Sequence, residues 1–264
     1  MVVMRIGQAL ASSKADQTET EIFLAHLLGK DRSYIKAFPE FSLNENHIAK
    51  YKNFAKRRAA HEPLAYILGY KEFCGIKIKV DKRVMVPRDE TEEIITNIVS
   101  HVYATPNRNR KNHWEYDRLK IVDVGTGSGN IAISLARTIP FAKIFAIEKD
   151  AKAYELAKEN ISIHGLGKQI ELIRGDLLDP IHEPIDIIVA NLPYIPVSRF
   201  SSLPEEITHW EPRVALNGGK DGLELYRKLF IQIPEKIKQN GHLFYEVDGQ
   251  ILTKQYISDK IVWL

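Results

Sequence analysis

A single cysteine, Cys74, stands in a chain of 264 residues, so neither an internal disulfide nor a thiolate metal cluster can form. No apolar stretch approaches the roughly 20 residues that a bilayer span needs. The opening run Met1-Val-Val-Met-Arg-Ile-Gly-Gln-Ala-Leu10 is without the long apolar core of a secretion signal. These absences predict a cytoplasmic setting and no membrane partner. Charge of one sign is also scarce: a formal net charge of +3 and a pI near 8.7 are too mild to argue for nucleic acid. The nine histidines show no H-E-x-x-H or similar spacing, which predicts no metal. Neither an internal repeat nor a low-complexity tract occurs. What is present, 44% hydrophobic and 27% charged residues, suits one large or two modest globular domains.

Residues 186–195, Asp-Ile-Ile-Val-Ala-Asn-Leu-Pro-Tyr-Ile, carry the strongest local signal. Ile187, Ile188, Val189 and Ala190 form a short, largely β-branched run that reads as a central strand buried on both faces. Asn191 and Tyr194 then stand at its carboxyl end, where open α/β sheets place ligands. An asparagine there can accept from an NH2 group with its oxygen and donate to a carbonyl with its own NH2. A strand ending in an ordinary Asn-Pro turn would read the same way.

Residues 120–136 add a second signal. Ile121, Val122 and Val124 make a buried strand, Gly125, Gly127 and Gly129 follow, and Ile131, Ile133, Leu135 and Ala136 begin a helical pattern. Strand, glycine loop and helix in that order open a doubly wound nucleotide-binding sheet. The spacing is G-x-G-x-G rather than the dinucleotide G-x-G-x-x-G, and Asp123 lies inside the strand. An acid there repels a pyrophosphate but pairs with an ammonium group, which points to S-adenosyl-L-methionine. A second strand, Lys143-Ile-Phe-Ala-Ile-Glu148, ends in a carboxylate placed for ribose hydroxyls. A third, Gln169-Ile-Glu-Leu-Ile-Arg-Gly-Asp176, ends in an acid that can receive the exocyclic amine of adenine. Each acid alone would be an ordinary solvated loop charge.

The organisation predicts a helical domain over 1–72, a β-hairpin linker over 73–87 and a methyltransferase domain over 88–264. Thr18–Gly29 and Asn44–Ala60 show helical spacing, with Gly29 as a stop and Asn44 or Asn46 as a cap. Ile76, Ile78 and Val80 alternate as in a hairpin. Tyr103–Asp117, rich in Asn and Arg, reads as a surface loop. The basic cluster Lys56-Arg57-Arg58 reads as a solvated helix face, with contact to RNA or a partner as the alternative.

On these residues the chain resembles the HemK/PrmC family, the protein-(glutamine-N5) methyltransferases of peptide chain release factors. The resemblance runs from about Glu19 to about Gln250. Its pieces are Ala65-Tyr-Ile-Leu-Gly69, Val86-Pro-Arg-Asp-Glu-Thr-Glu92, the Gly125–Gly129 loop, Asn191–Tyr194 and Glu211-Pro-Arg-Val-Ala-Leu-Asn-Gly-Gly-Lys-Asp-Gly-Leu223. The glycine loop fits many methyltransferases, whereas the two Pro-Arg segments are far more specific. The resemblance implies a Rossmann-like class I α/β methyltransferase fold with a small helical amino-terminal domain and a hairpin linker. It implies S-adenosyl-L-methionine as cofactor and, as partner and substrate, a class 1 peptide chain release factor, methylated at the glutamine of its Gly-Gly-Gln motif.

Carried over by position, Gly125, Thr126, Gly127, Ser128 and Gly129 cradle the methionine end, with Asp123 beside it. Glu148 holds the ribose, Asp176 and Leu177 flank the adenine, and Asn191 touches both cofactor and substrate. Leu192, Pro193 and Tyr194 complete the amide clamp, with Arg88 and Glu90 on the substrate side. Asn191, Pro193 and Tyr194 are the expected catalytic residues. Asn191 and the Leu192 carbonyl are expected to accept the two N–H bonds of the substrate amide, whose nitrogen is otherwise a poor nucleophile. The sequence departs from the family at Leu192 and at Asp89, both usually proline, and loses the rigidity of a fixed φ at the former. It also ends soon after the strand His242–Val247, so the two strands that close the family's sheet are expected to be missing and an edge exposed.

Other readings remain open from sequence: a glutamine methyltransferase of a ribosomal protein, an exocyclic adenine N6-methyltransferase, a nicotinamide oxidoreductase, and a non-catalytic binding module. Base-extruding enzymes need a basic face, which the net charge disfavours. The glycine spacing and Asp123 disfavour nicotinamide.

Overall fold

The computed structural model describes residues 4–104, 119–257 and 260–263. The chain divides into two compact units, one running up to Tyr70 and including Pro204–Trp210, the other comprising Lys71–Leu203 and the residues from Glu211 onward.

In the first unit, β1 (Met4–Arg5) and β2 (Ser42–Leu43) pair antiparallel, and five helices follow the apolar spacing of the sequence: α1 (Ile6–Ser12), α2 (Gln17–Leu28), α3 (Arg32–Ala37), α4 (Glu45–Ala59) and α5 (Leu64–Leu68). Asp16 caps α2 by accepting from the Thr18 and Glu19 amides, and Asn44 caps α4 by accepting from His47. These are free amide donors of a first turn, which a short polar side chain satisfies. The core packs Ile6, Leu24, Ile35 and Phe54 fully inside, with the Phe23 and Phe54 rings stacked at 4.2 Å. Arg57 grips Glu62 through two nitrogens at 2.6 and 2.5 Å, and Arg58 bonds Glu19 at 2.8 Å and Glu206 at 3.2 Å. The expected solvated face at the end of α4 is therefore, for both arginines, a set of ion pairs within the unit.

A hairpin follows, β3 (Tyr70–Phe73) and β4 (Ile76–Lys79), turned by Cys74 and Gly75, both at positive φ, and the second unit begins within it at Lys71. The hairpin starts three residues earlier than the expected linker. There follow α6 (Glu92–Ala104), β5 (Lys120–Val124), α7 (Asn130–Thr138), β6 (Lys143–Glu148), α8 (Ala151–Ile163), β7 (Ile170–Arg174) and β8 (Ile185–Ala190). Helix α9 (Glu205–Trp210) lies in the piece grouped with the first unit, and α10 (Glu224–Lys236) leads into β9 (Ile237–Val247), β10 (Gln250–Ile257) and β11 (Lys260–Trp263). The expected loop over Tyr103–Asp117 is helical at its first two residues, and 105–117 lie outside the described residues.

Among the described residues the sheet has seven strands in the order β11-β10-β9-β8-β5-β6-β7, parallel from β9 to β7. Its central strands are apolar on both faces because helices cover both; Val122, Val124, Ile188, Leu229 and Ile233 form part of the resulting core. The expectation of missing closing strands is overturned. β10 pairs antiparallel with β9, from Gln250 opposite Val247 to Gln255 opposite His242, and β11 pairs with β10. The turn is Asp248-Gly249, both at positive φ, the dipeptide that two-residue hairpins favour. The polar residues Gln250, Thr253 and Lys254 dilute the apolar signal of β10, which is why that strand was not read from sequence.

Candidate functional site

Strand order reverses at β5, which has β6 as its parallel neighbour on one side and β8 on the other, and the crevice at the carboxyl ends of β5 and β8 is where such sheets bind ligands. The glycine loop leaves β5 there. The amides of Gly125 and Thr126 both donate to the Ile147 carbonyl at 2.9 Å, and the Gly129 amide donates to the Thr126 carbonyl at 2.8 Å. Gly125 sits at φ +71°, and a Cβ built on it would stand 2.8 Å from Leu192 Cδ2. Only glycine takes this turn and this contact without strain.

Asp123 is 1% exposed and turns into the loop. Its Oδ2 accepts from Thr126 Oγ1 at 2.6 Å and from the Ala132 amide at 3.1 Å, while Oδ1 accepts from none of the described residues. Burial pushes its carboxyl up to about 7. Asp123 is thus a brace between the loop and the start of α7, and it does not line the cavity in which an ammonium would be met.

The cavity encloses about 700 Å³, within the range of small-molecule sites. Of the expected site residues, Gly125, Thr126, Gly127, Ser128, Glu148, Asp176, Leu177, Asn191, Leu192 and Pro193 line it; Asp123, Gly129, Tyr194, Arg88 and Glu90 do not. Arg83, Met85 and Pro87, from the stretch after β4, Thr91, and Val214 and Asn217 from the Glu-Pro-Arg segment are also among the residues of the wall. Glu148 Oε2 accepts from the Gly127 amide at 2.9 Å and Oε1 from the Asp150 amide at 2.8 Å. Burial holds this carboxyl above its ordinary range. Each oxygen keeps a further lone pair for a hydroxyl. Asp176 is tied to Lys149 at 2.7 Å, an exposed pair that a ligand can replace at small cost. Leu177 takes a left-handed φ of +47° although it is 7% exposed, a strained backbone of the kind found at ligand clamps.

The amide clamp is held by residues that the sequence reading missed, Thr91 at the cavity wall and Glu246 behind it. Asn191 donates both hydrogens of its side-chain NH2, to Glu246 Oε2 at 2.8 Å and to Thr91 Oγ1 at 3.0 Å. Thr91 in turn donates to Glu246 Oε2 at 2.7 Å. Glu246, on β9, is 1% exposed, and its carboxyl is raised by burial. The Tyr194 hydroxyl lies 3.5 Å from Glu246 Oε1 and is pushed up to about 12, first by burial and then by the Glu246 charge. Asn191 therefore has no NH2 hydrogen left for a substrate carbonyl, contrary to the two-way role expected of it; its Oδ1 is the polar atom that remains.

Leu192 is fixed by a different device from the proline expected there. Its amide donates to the Tyr226 hydroxyl at 3.0 Å, and that hydroxyl donates to the Glu246 carbonyl. The rigidity lost with the pyrrolidine ring is supplied by a buried hydrogen-bond relay. Beyond Tyr194, the Ile195 amide donates to the Leu216 carbonyl and the Gly218 amide to the Ile195 carbonyl, each at 3.0 Å. The backbones pack so closely that a Cβ on Gly222 would fall 2.2 Å from the Tyr194 carbonyl oxygen. Arg88 binds the buried Glu211 at 2.7 Å, joining the two Pro-Arg segments. Glu90 is exposed, and Asp89 pairs with Lys71 at 2.6 Å, which gives that departure from proline a structural role. A lone glutamate in the apolar run Leu243-Phe-Tyr-Glu-Val247 was the available signal for Glu246; nothing in the sequence tied it to Asn191.

A glycine cradle after the first strand, an acid closing the second and an Asn-x-Pro-Tyr corner on the fourth define an S-adenosyl-L-methionine-dependent methyltransferase. Residues 111–205 match the methyltransferase small domain, and residues 2–69 match the PrmC N-terminal domain. Release factor glutamine methyltransferases are among its relatives. That of Geobacter sulfurreducens is 36% identical, over 87% of this chain and 76% of its own. That of Thermodesulfovibrio yellowstonii is 34% identical, over 91% and 83%, and that of Bacillus cereus 30%, over 92% and 86%. The chain belongs to the release factor glutamine methyltransferase family. No helix among the described residues is long and apolar enough to cross a membrane.

Proposed function

We propose that this chain methylates the side-chain amide nitrogen of the Gly-Gly-Gln glutamine in a class 1 release factor, in the cytoplasm. The observation that carries this reading is the state of Asn191: its NH2 is fully engaged by Glu246 and Thr91, and its oxygen is left at a cavity bounded by the glycine loop. Such a site offers an acceptor to an N–H donor. Bound S-adenosyl-L-methionine supplies the sulfonium methyl as electrophile. Gly125, Thr126, Gly127 and Ser128 shape the wall that receives its methionine end, Glu148 accepts from the ribose hydroxyls, and Asp176 and Leu177 face the adenine. The cavity volume, the close Gly125–Leu192 approach and the Glu148 oxygens fit that group.

Asn191 Oδ1 accepts one hydrogen of the glutamine amide and the Leu192 carbonyl the other. Drawing on both N–H bonds localises electron density on nitrogen. The departing proton needs no strong base, because the nitrogen becomes acidic only as the new N–C bond forms. Pro193 stiffens the corner, and Tyr194, held near Glu246, braces it. Transfer of labelled methyl from the cofactor to a purified release factor tests the reading. Labelling of wild type but not of its Gly-Gly-Ala variant is expected; equal labelling of both would refute the assignment.

A further inference from the structure

The Asn191 carboxamide has two orientations that differ by exchanging oxygen and NH2, and they present opposite chemistry to a ligand. One orientation accepts from a substrate; the other donates to it. Glu246 decides between them. Its carboxylate has only acceptor oxygens when ionised, one of which lies 2.8 Å from Asn191 Nδ2 and 2.7 Å from Thr91 Oγ1. Because Thr91 spends its hydroxyl hydrogen on Glu246, its own oxygen is left to accept, and it takes the second Asn191 hydrogen at 3.0 Å. The reversed carboxamide would set its oxygen against two acceptors. Glu246 is absent from the cavity wall, so it acts through Asn191.

We propose that Glu246 is a positioning residue that locks the Asn191 carboxamide with Oδ1 toward the cavity, and so makes the site select a carboxamide substrate over the matching carboxylate. A glutamine side chain brings the N–H donors that Oδ1 and the Leu192 carbonyl require. A glutamate side chain brings only acceptors, leaves both unmatched and adds a charge beside a buried carboxylate. This deepens the proposed function and rests on it for the identity of the substrate, but not for the locked orientation itself.

Three variants of the full chain, Glu246→Leu, Glu246→Gln and Thr91→Val, test the idea with release factor as substrate. Glu246→Leu is expected to lower kcat roughly 10- to 100-fold, the loss of one hydrogen bond to a charged group, with cofactor affinity from calorimetry unchanged. Glu246→Gln keeps an acceptor for Asn191 and is expected to lose severalfold less. Thr91→Val, which leaves Glu246 in place, should show a smaller loss of the same kind. On an Asn191→Ala background, Glu246→Leu should change kcat by no more than about twofold, because both act on one element.

A readout without substrate accompanies these. The Asn191 side-chain NH2 signals, assigned by their absence in Asn191→Ala, should be protected from hydrogen exchange in wild type and Glu246→Gln and exchange faster in Glu246→Leu. Equal losses of kcat in Glu246→Leu and Glu246→Gln would overturn the proposal, since charge rather than orientation would then matter. Unprotected NH2 signals in wild type would overturn it as well. Should wild type leave release factor unlabelled while the exchange pattern holds, the substrate assignment fails and the positioning role stands.

Discussion

Tyr226→Phe removes one hydroxyl that serves two backbone groups. In wild type that oxygen accepts from the Leu192 amide at 3.0 Å and donates to the Glu246 carbonyl, inside a side chain that is 1% exposed. Phenylalanine fills the same ring volume, so cavity formation contributes little. The cost comes from leaving a buried N–H and a buried carbonyl unmatched, at about 1–3 kcal/mol each. A carbonyl with a second lone pair suffers less than an amide, so most of the loss belongs to Leu192. Leu192→Pro removes that N–H while fixing φ. On the Leu192→Pro background, Tyr226→Phe should therefore cost about 1–3 kcal/mol less than it does in wild type. Urea denaturation of the four proteins, followed by a probe on the sheet unit, measures this coupling, and kcat on release factor should follow the same ordering. Identical penalties for Tyr226→Phe on both backgrounds would refute the relay as the substitute for a ring at position 192.

Three further outcomes are expected. Asn191→Ala should lower kcat by roughly 10²–10³-fold, in the range seen when one preorganised polar partner of a reacting group is removed, with cofactor affinity largely kept; normal turnover would sink the mechanism. Gly125→Ala places a Cβ 2.8 Å from Leu192 Cδ2 at φ +71°, so it should cost about 1–2 kcal/mol of stability and weaken cofactor binding in a calorimetric titration. Asp123 is raised by burial from 3.8 to about 7. Its raised value means that the folded state favours the protonated form, so its contribution to stability is full below 3.8 and is lost as pH rises through about 7. Asp123→Asn buries no charge, and its stability relative to wild type should climb by roughly 2 kcal/mol between about pH 5.5 and about pH 7.5. A pH-independent difference in denaturation midpoints would count against the buried ionisation.

Much of the scaffold could be read in advance because its signals are local. β6 and β8 contain unbroken apolar runs at 144–147 and 187–190, and β5 is apolar from Ile121 to Val124 apart from Asp123; Asn44 and Gly29 bound their helices where a cap and a stop were expected, and the loop at Gly125–Gly129 sits on the crevice. What escaped depends on distance along the chain. Thr91, Asn191 and Glu246 are 100 and 55 residues apart, and no periodicity connects them. Asp123 was assigned to the ligand because an acid beside a glycine loop suggests a charge partner; burial turned it inward instead. β10 is hidden because Gln250, Thr253, Lys254 and Gln255 break its apolar pattern without alternating, although its Asp248-Gly249 turn is a local and readable feature. Arg88 carries a similar lesson, since its buried partner Glu211 is 123 residues away.

The packing of Gly218 and Gly222 on the Tyr194 backbone bears on how this catalyst can change over time. Where main chain rests on main chain, at Tyr194, no side chain intervenes to be enlarged, shrunk or recharged. Selection acting on substrate preference would thus have little purchase on those peptide groups and must work through the side chains around them, at the mouth in positions such as Val214 or through the brace at Glu246.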